Sequence, residues 1–220
     1  MVEPIQGEGG YVVPPPAFFP ALRRVCDKYG ILLIVDEAQS GMGRTGKWFA
    51  VEHEGIEPDV VAVAKGIVLG MSLGATPAPQ ELMSWPAGSR ASTFDGNPVS
   101  CAAAPATLSL LENGMIDNAA RMGDELRQRL REMMPDHPYI GDVRGRGLMV
   151  GAEIVKDRAT RERAPELRDR MISEAFYHGL LLLGAGPNTL RFVPPLNVSP
   201  AHLDEALELF ESVLTTAEAG

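Results

Sequence analysis

Cysteine is scarce in this chain: Cys26 and Cys101 are the only two in 220 residues. Each lies in an apolar stretch, so they read as buried free thiols of a reducing cytoplasm rather than as a disulfide framework or a zinc site. Histidine is nearly as sparse. His53, His137, His178 and His202 are scattered without a helical HxxxH pair, and no metal site is expected. Positive charge is also in deficit, with 20 Lys and Arg against 29 Asp and Glu and a net charge of -9. That balance argues against nucleic acid or an anionic membrane as partner. No apolar run reaches the ~18 residues that a membrane span requires. The opening MVEPIQGEGG lacks the basic and apolar regions of a secretory signal. There is no Gly-x-Ser-x-Gly elbow, no paired-carboxylate signature and no internal repeat, and the glycines of residues 41–46 lack phosphate-loop spacing. A hydrophobic content of 45% with 22% charged residues is ordinary for a globular protein of one large or two small domains.

What the chain does have is a pair of strand ends. Residues 31–35 (ILLIV) stop on Asp36-Glu37-Ala38-Gln39, and residues 60–64 (VVAVA) stop on Lys65-Gly66. Short runs rich in Val and Ile read as buried parallel strands. In open α/β sheets the ligand lies at the carboxyl ends of such strands, so one carboxylate and one amine are expected to face a common crevice. Taken singly, Asp36 also reads as a cap or turn residue and Lys65 as a solvated strand end. Together they suit pyridoxal 5'-phosphate, which needs a lysine for a Schiff base and an acid to keep its ring nitrogen protonated. Gln39, just past the first strand end, can donate to the phenolic oxygen of that cofactor.

The spacing of apolar residues orders the rest. Pro14, Pro15 and Pro16 open a segment in which Phe18, Leu22, Val25 and Cys26 keep helical spacing, and Gly30 is a typical helix-ending residue. Residues 73–77 are expected to return as a short strand and residues 81–85 to form a short helix. Asn97 and Pro98 open an Ala-rich helix as N-cap and first-turn residue, and that helix ends near Asn113-Gly114. Beyond it the composition shifts. Residues 115–134 read as a charged amphipathic helix, 139–144 and 148–154 as strands, 163–177 as a helix, 180–183 and 189–193 as short strands, and 200–215 as a closing helix. The expected architecture is α/β with a mainly parallel sheet over residues 1–113, followed by a smaller α+β domain over residues 114–220.

Six segments, in order, carry a resemblance to a known family. Residues 3–10 (EPIQGEGG), 36–47 (DEAQSGMGRTGK), Pro58-Asp59 leading to Ala64-Lys65-Gly66, 92–98 (STFDGNP), 143–148 (VRGRGL) and 191–196 (RFVPPL) are similar to class III aminotransferases. These are the ω-amino-acid, acetylornithine and 4-aminobutyrate type of fold-type-I pyridoxal-phosphate enzymes. The resemblance covers essentially the whole chain. It implies that residues 1–113 are the C-terminal part of a cofactor-binding large domain and residues 114–220 the small domain. Family members are longer; their preceding half carries the loop for the cofactor phosphate, an aromatic that stacks on the ring and several strands of the large sheet. Met1-Val2 is accordingly expected to begin inside a strand.

The resemblance also implies roles. Lys65 is the cofactor lysine, Asp36 the acid at the ring nitrogen, and Gln39 the donor to the phenolic oxygen. Thr93 reaches the cofactor phosphate of the neighbouring subunit in a homodimer. Arg191 binds the α-carboxylate of an α-amino acid, and Glu8 pairs with Arg191 when an ω-amine enters. Arg44 and Arg146 read as structural or interface residues. Asp95 stands where a glycine is common, placing a repelling carboxylate near a phosphate, and Arg90 stands where histidine is frequent. The implied reaction is amino transfer from an amino acid to a 2-oxo acid. Residues 85–94 (WPAGSRASTF) are similar to a subgroup that includes racemases, so a racemase is one alternative and a catalytically silent fragment is another.

Overall fold

The structure, a computed structural model, describes residues 1–89 and 96–219. The chain divides into two compact units: Met1–Pro4 with Pro14–Asp117, and Ile5–Val13 with the chain from Asn118 onward. The segment Ile5–Val13, expected with the first part of the chain, groups with the second unit.

In the first unit, helix α1 (Phe18–Tyr29) buries Phe19 and Cys26 on one face. They pack with Leu33, Val35 and Val51. Gly30 ends the helix with φ 64°, and the Ile31 N–H still donates to Cys26 O at 2.9 Å. Strands β1 (Ile34–Asp36) and β2 (Val60–Ala62) are parallel, with Ile34 opposite Val60, Val35 opposite Val61 and Asp36 opposite Ala62. The parallel pairing follows the sequence; the extent and burial do not. Ile31 and Leu32 are exposed and precede the strand, because the helix end claims the Ile31 amide. β2 is half-buried along its length rather than enclosed.

Val2 makes a parallel bridge to Val35, and Val63 an antiparallel bridge to Ala75. Residues 73–77 therefore return beside β2 as a single bridge, and the helix expected at residues 81–85 is a short 3-10 turn at Gln80–Leu82. Asp59 ties α1 to the strands. Its Oδ2 accepts from Leu33 N–H at 2.6 Å and from Arg23 Nη1 at 2.8 Å. Burial pushes the Asp59 carboxyl up, but the bonds from Arg23 and Leu33 and the Arg23 charge outweigh it and hold the group below its ordinary value. Helix α2 (Pro98–Leu110) starts as expected: Asn97 Oδ1 accepts from Val99 N–H at 2.9 Å, and Pro98 occupies the first turn. It breaks at a π-helical turn, Leu111–Met115, where Gly114 takes φ 114°, a conformation cheap only for glycine. Helix α3 (Ile116–Met133) follows and from Asn118 belongs to the second unit.

The second unit adds β3 (Ile140–Arg146), β4 (Met149–Asp157), β5 (Glu162–Arg163), α4 (Pro165–Tyr177), β6 (Leu183–Ala185), β7 (Thr189–Phe192) and α5 (Pro200–Ala219). The strands form one antiparallel sheet in the order β3-β4-β7-β6, with β5 on β4. α3 buries Ala119, Met122, Leu126 and Leu130, the apolar stripe of an amphipathic helix. Phe192 of β7 meets Phe210 of α5 edge to face, ring centroids 5.0 Å apart. β4 is buried from Met149 to Ala152 without alternation, because Ile5 and Tyr11 pack onto Met149. β6 starts at Leu183 rather than at residue 180, since Leu180 N–H donates to Ala175 O at 2.8 Å and completes the end of α4. Among the described residues no helix is long and apolar enough to cross a membrane.

One close approach fixes α3 on the sheet. A Cβ on Gly123 would lie 2.1 Å from the carbonyl carbon and oxygen of Gly147, in the turn between β3 and β4. Gly123→Ala is expected to cost about 3 kcal/mol and to lower Tm by roughly 10 °C. Thermal unfolding checks this, and an unchanged Tm would mean that the helix and the turn separate freely.

Candidate active site

Parallel pairing of β1 and β2 sets their carboxyl ends side by side, about 5 Å apart. Asp36 closes β1 opposite Ala62, and Lys65 opens a short 3-10 turn just past β2. Lys65 has φ 50°, the left-handed region that a non-glycine residue rarely enters and that persists only where the surroundings impose it. Gly66 shows what imposes it. A Cβ there would sit 2.9 Å from Met42 Cβ, so the backbone after Lys65 is pressed onto the loop that follows β1. Lys65 is exposed, and among the described residues its Nζ makes no hydrogen bond or ion pair. Asp36 is half-buried, with Oδ1 accepting from Ala38 N–H at 3.0 Å. Gln39 lies half-buried in the turn beyond. Thr93, Asp95 and Arg90 fall outside the described residues.

Glu37 was not singled out by its sequence context. It is fully buried. Oε2 accepts from Ser40 Oγ at 2.5 Å and Oε1 from Val51 N–H at 2.8 Å, so it pins the loop that carries Gln39 and Met42. The small residues around it were the available signal: a Cβ on Gly41 would lie 2.8 Å from Glu37 O. Burial pushes the Glu37 carboxyl up, and the bonds from Ser40, Val51 and Ala50 offset this only in part. A carboxyl raised by folding binds its proton more tightly folded than unfolded. Its contribution is therefore most favourable at low pH and declines as pH rises from the unfolded pKa through the folded one. Glu37→Gln keeps an acceptor for Val51 and a donor to Ser40 but does not titrate. The stability of the variant relative to wild type is expected to improve between about pH 5 and about pH 8. Urea unfolding at both values measures this, and a difference independent of pH would place the titration elsewhere.

In the second unit, Gln6 and Val12 form an antiparallel bridge that closes a small hairpin with Glu8 in its tip. The tip turns at Gly10 (φ 113°) and Tyr11 (φ 55°), whose N–H groups both donate to Gly7 O. Gly186 N–H donates to Glu8 O at 2.7 Å. Arg191, on β7, donates from Nη1 to Glu8 Oε1 at 2.6 Å. Arg191 Nε is buried and has no hydrogen-bond partner among the described residues. An unbonded buried guanidinium N–H is costly, and a carboxylate that accepts two parallel bonds is the natural partner for it. The two groups expected to exchange partners on substrate entry are thus already paired.

An α/β scaffold with an acid and an amine at neighbouring parallel strand ends has the fold of the pyridoxal-phosphate-dependent transaminases of fold type I. The aminotransferase class-III family model matches residues 1–214, and the chain belongs to that family. It is 43% identical over 220 residues to the leucine/methionine racemase of Thermococcus litoralis, spanning 99% of this chain and 50% of that protein. It is 44% identical over 215 residues to the acetylornithine aminotransferase of Gloeobacter violaceus, spanning 97% of this chain and 52% of that protein. The (S)-enantioselective ω-transaminase of Thermomicrobium roseum matches the fold with a TM-score of 0.90 at 36% identity, over 98% of this chain and 50% of that one. The chain spans about half the length of these relatives. Class III aminotransferases depend on pyridoxal phosphate. The donor set here fits that group: among the described residues Lys65 offers an amine free of any ion pair, and Asp36 commits only Oδ1, to Ala38.

Proposed function

We propose that this chain supplies the reacting residues of a pyridoxal-phosphate-dependent aminotransferase, one that moves an amino group from an amino acid, ω-amines included, to a 2-oxo acid. The observation that carries the proposal is Lys65, an exposed amine, unpaired among the described residues, on a φ 50° backbone beside the Asp36 strand end. Lys65 would hold the cofactor through its amine, Asp36 would face the ring nitrogen, Gln39 the phenolic oxygen, and Thr93 the phosphate of a neighbouring subunit. Pyridoxal phosphate, when bound, supplies an electron sink for the carbanion left when an amino acid loses its α-proton. Lys65 Nζ carries that proton as general base and acid. The Asp36 charge keeps the ring nitrogen protonated. Arg191 clamps the α-carboxylate with its planar fork, and Glu8 neutralises Arg191 when a substrate without an α-carboxylate enters.

Borohydride reduction of the whole protein with pyridoxal phosphate, followed by peptide mapping, tests the assignment. The label is expected on the peptide that contains Lys65, and label on another lysine would end it. Arg191→Lys keeps the charge but loses the fork. It is expected to raise KM for the 2-oxo acid by about tenfold or more, the size of a charge-assisted hydrogen bond lost, while KM for an ω-amine changes little.

Similarity to the Thermococcus litoralis racemase favours a second reading, an amino-acid racemase. Both reactions begin with proton removal by Lys65 and differ in where the proton returns. One enantiomer incubated without any 2-oxo acid separates them: appearance of the mirror-image amino acid supports the racemase.

A second copy of the protein is the partner this reading requires. α2 carries no charged residue, yet Val99, Leu108 and Leu110 on it are exposed, as are Met83 and Trp85. A helix apolar on every side belongs in an interior, and exposed apolar patches mark interfaces. Sedimentation of the whole protein is expected to give a dimer and Leu110→Asp to shift it toward monomer; a monomeric wild type would remove this part. Cys26 is buried as expected, but Cys101 is exposed, because it lies on the outer face of α2; both are free, which supports a reducing, cytoplasmic setting.

A further inference from the structure

Arg144 touches none of the groups assigned above except through the hairpin that carries Glu8. Its Nε donates to Gly10 O at 2.9 Å and its Nη2 to Thr189 Oγ1 at 2.9 Å. One edge of the guanidinium therefore joins the hairpin tip to β7, and Thr189 starts the strand on which Arg191 lies. The opposite nitrogen, Nη1, donates to Glu153 Oε2 at 2.8 Å and to Asp142 Oδ2 at 3.1 Å. Those two carboxylates balance the Arg144 charge, so it does not compete with Arg191 for Glu8.

The tip has almost no free space. A Cβ on Gly10 would lie 3.1 Å from Thr189 Oγ1 and 3.3 Å from Arg144 Nη2, and a Cβ on Gly186 would lie 2.8 Å from Gly9 O. Glu8 is thus held at its own carbonyl by Gly186 N–H and, two residues on, at Gly10 O by Arg144. We infer that Arg144 is a positioning residue that holds Glu8 against Arg191 and thereby sets how readily the site takes a substrate lacking an α-carboxylate. This rests on the Glu8–Arg191 reading given above. The role needs arginine, because one rigid edge must meet a carbonyl and a hydroxyl while the far nitrogen meets two carboxylates; an ammonium has no such geometry.

The direct readout is the reactivity of Arg191 toward phenylglyoxal in the whole protein without substrate, followed by peptide mass spectrometry. Glu8→Gln is expected to speed modification of Arg191 by roughly tenfold, within the range of couplings between contacting groups. Arg144→Met should approach that rate, Arg144→Lys should not restore the slow one, and the Arg144→Met/Glu8→Gln pair should be no faster than Glu8→Gln alone. Thr189→Val removes one acceptor of Arg144 while keeping volume. It is expected to give an intermediate rate, and it keeps the test valid should Arg144→Met unfold. In steady-state kinetics Arg144→Met should raise KM for an ω-amine donor and spare KM for an α-amino acid, whereas general loosening would raise both. If Arg144→Met and Thr189→Val leave Arg191 as slow as in wild type while Glu8→Gln speeds it, the inference is overturned and the pair stands. If Glu8→Gln has no effect either, the pair itself falls, and the inference with it.

Discussion

Lys65→Ala is expected to lower kcat by about 10³-fold or more, the loss that follows removal of both a covalent anchor and a general base. The same change should leave the fold intact. Lys65 is exposed and its amine has no partner among the described residues, so no packing or ion pair is lost. The backbone makes a sharper forecast. A lysine held at φ 50° is strained relative to glycine, by roughly 1 kcal/mol in such left-handed positions. Lys65→Gly should therefore be as inactive as Lys65→Ala yet more stable than it by ~1 kcal/mol. Such a result would fit the proposal that a strained lysine is kept at this position for its amine. Thermal unfolding and turnover of the three proteins decide the matter. Retained turnover in either variant would remove Lys65 from the chemistry, and a less stable glycine variant would show that the backbone is relaxed.

Much of the first unit was legible because its signals are local. Gly30, the Asn97 cap and the Gly114 break each need only neighbours in sequence, and each stands where its residue type demands. β2 ends at Ala62, two residues short of the run that stops on Lys65, because Val63 pairs with Ala75 instead, but the end of β1 at Asp36 was legible for a related reason. The strand starts were not. Ile31 and Leu180 look like first strand residues, but a preceding helix takes their amides through Cys26 O and Ala175 O, and each strand begins later. That competition is invisible in apolar spacing, since both outcomes suit the same residues.

Long-range placements were less legible still. Nothing in EPIQGEGG tells that Ile5–Val13 groups with residues after Asn118, and the unalternating burial of β4 is intelligible only once Tyr11 is seen against it. Arg144 and Arg146 are indistinguishable within VRGRGL, yet Arg144 holds four partners across the sheet and the hairpin. Glu37 and Asp36 are adjacent carboxylates. One closes a strand half-buried, and the other is fully enclosed beneath the loop. Sequence neighbours on a strand point to opposite faces, so adjacency gave no hint of which acid was the structural one.

The different surroundings of the two acids motivate the second large effect, which tests the proposed role of Asp36. Asp36→Asn is expected to reduce kcat by at least ~100-fold, the scale of removing one key electrostatic group from a reacting centre. The asparagine amide retains an oxygen for Ala38 N–H, the bond that Asp36 Oδ1 now accepts at 3.0 Å, so the turn should survive and Tm should hardly move. What is lost is the negative charge. A neutral amide cannot keep a ring nitrogen protonated, and without that proton the cofactor is a poor acceptor of the carbanion electrons. Glu37 cannot take over. Its two oxygens are committed to Ser40 and Val51 inside the loop, and burial favours its neutral form. Asp36→Glu keeps the charge but displaces it by one methylene, and should fall between wild type and Asp36→Asn. Turnover of the three proteins at saturating amino donor, with Tm recorded alongside, is the measurement. A kcat for Asp36→Asn equal to that of wild type would mean that another group faces the ring nitrogen. A large fall in Tm would mean that Asp36 serves the turn rather than the cofactor.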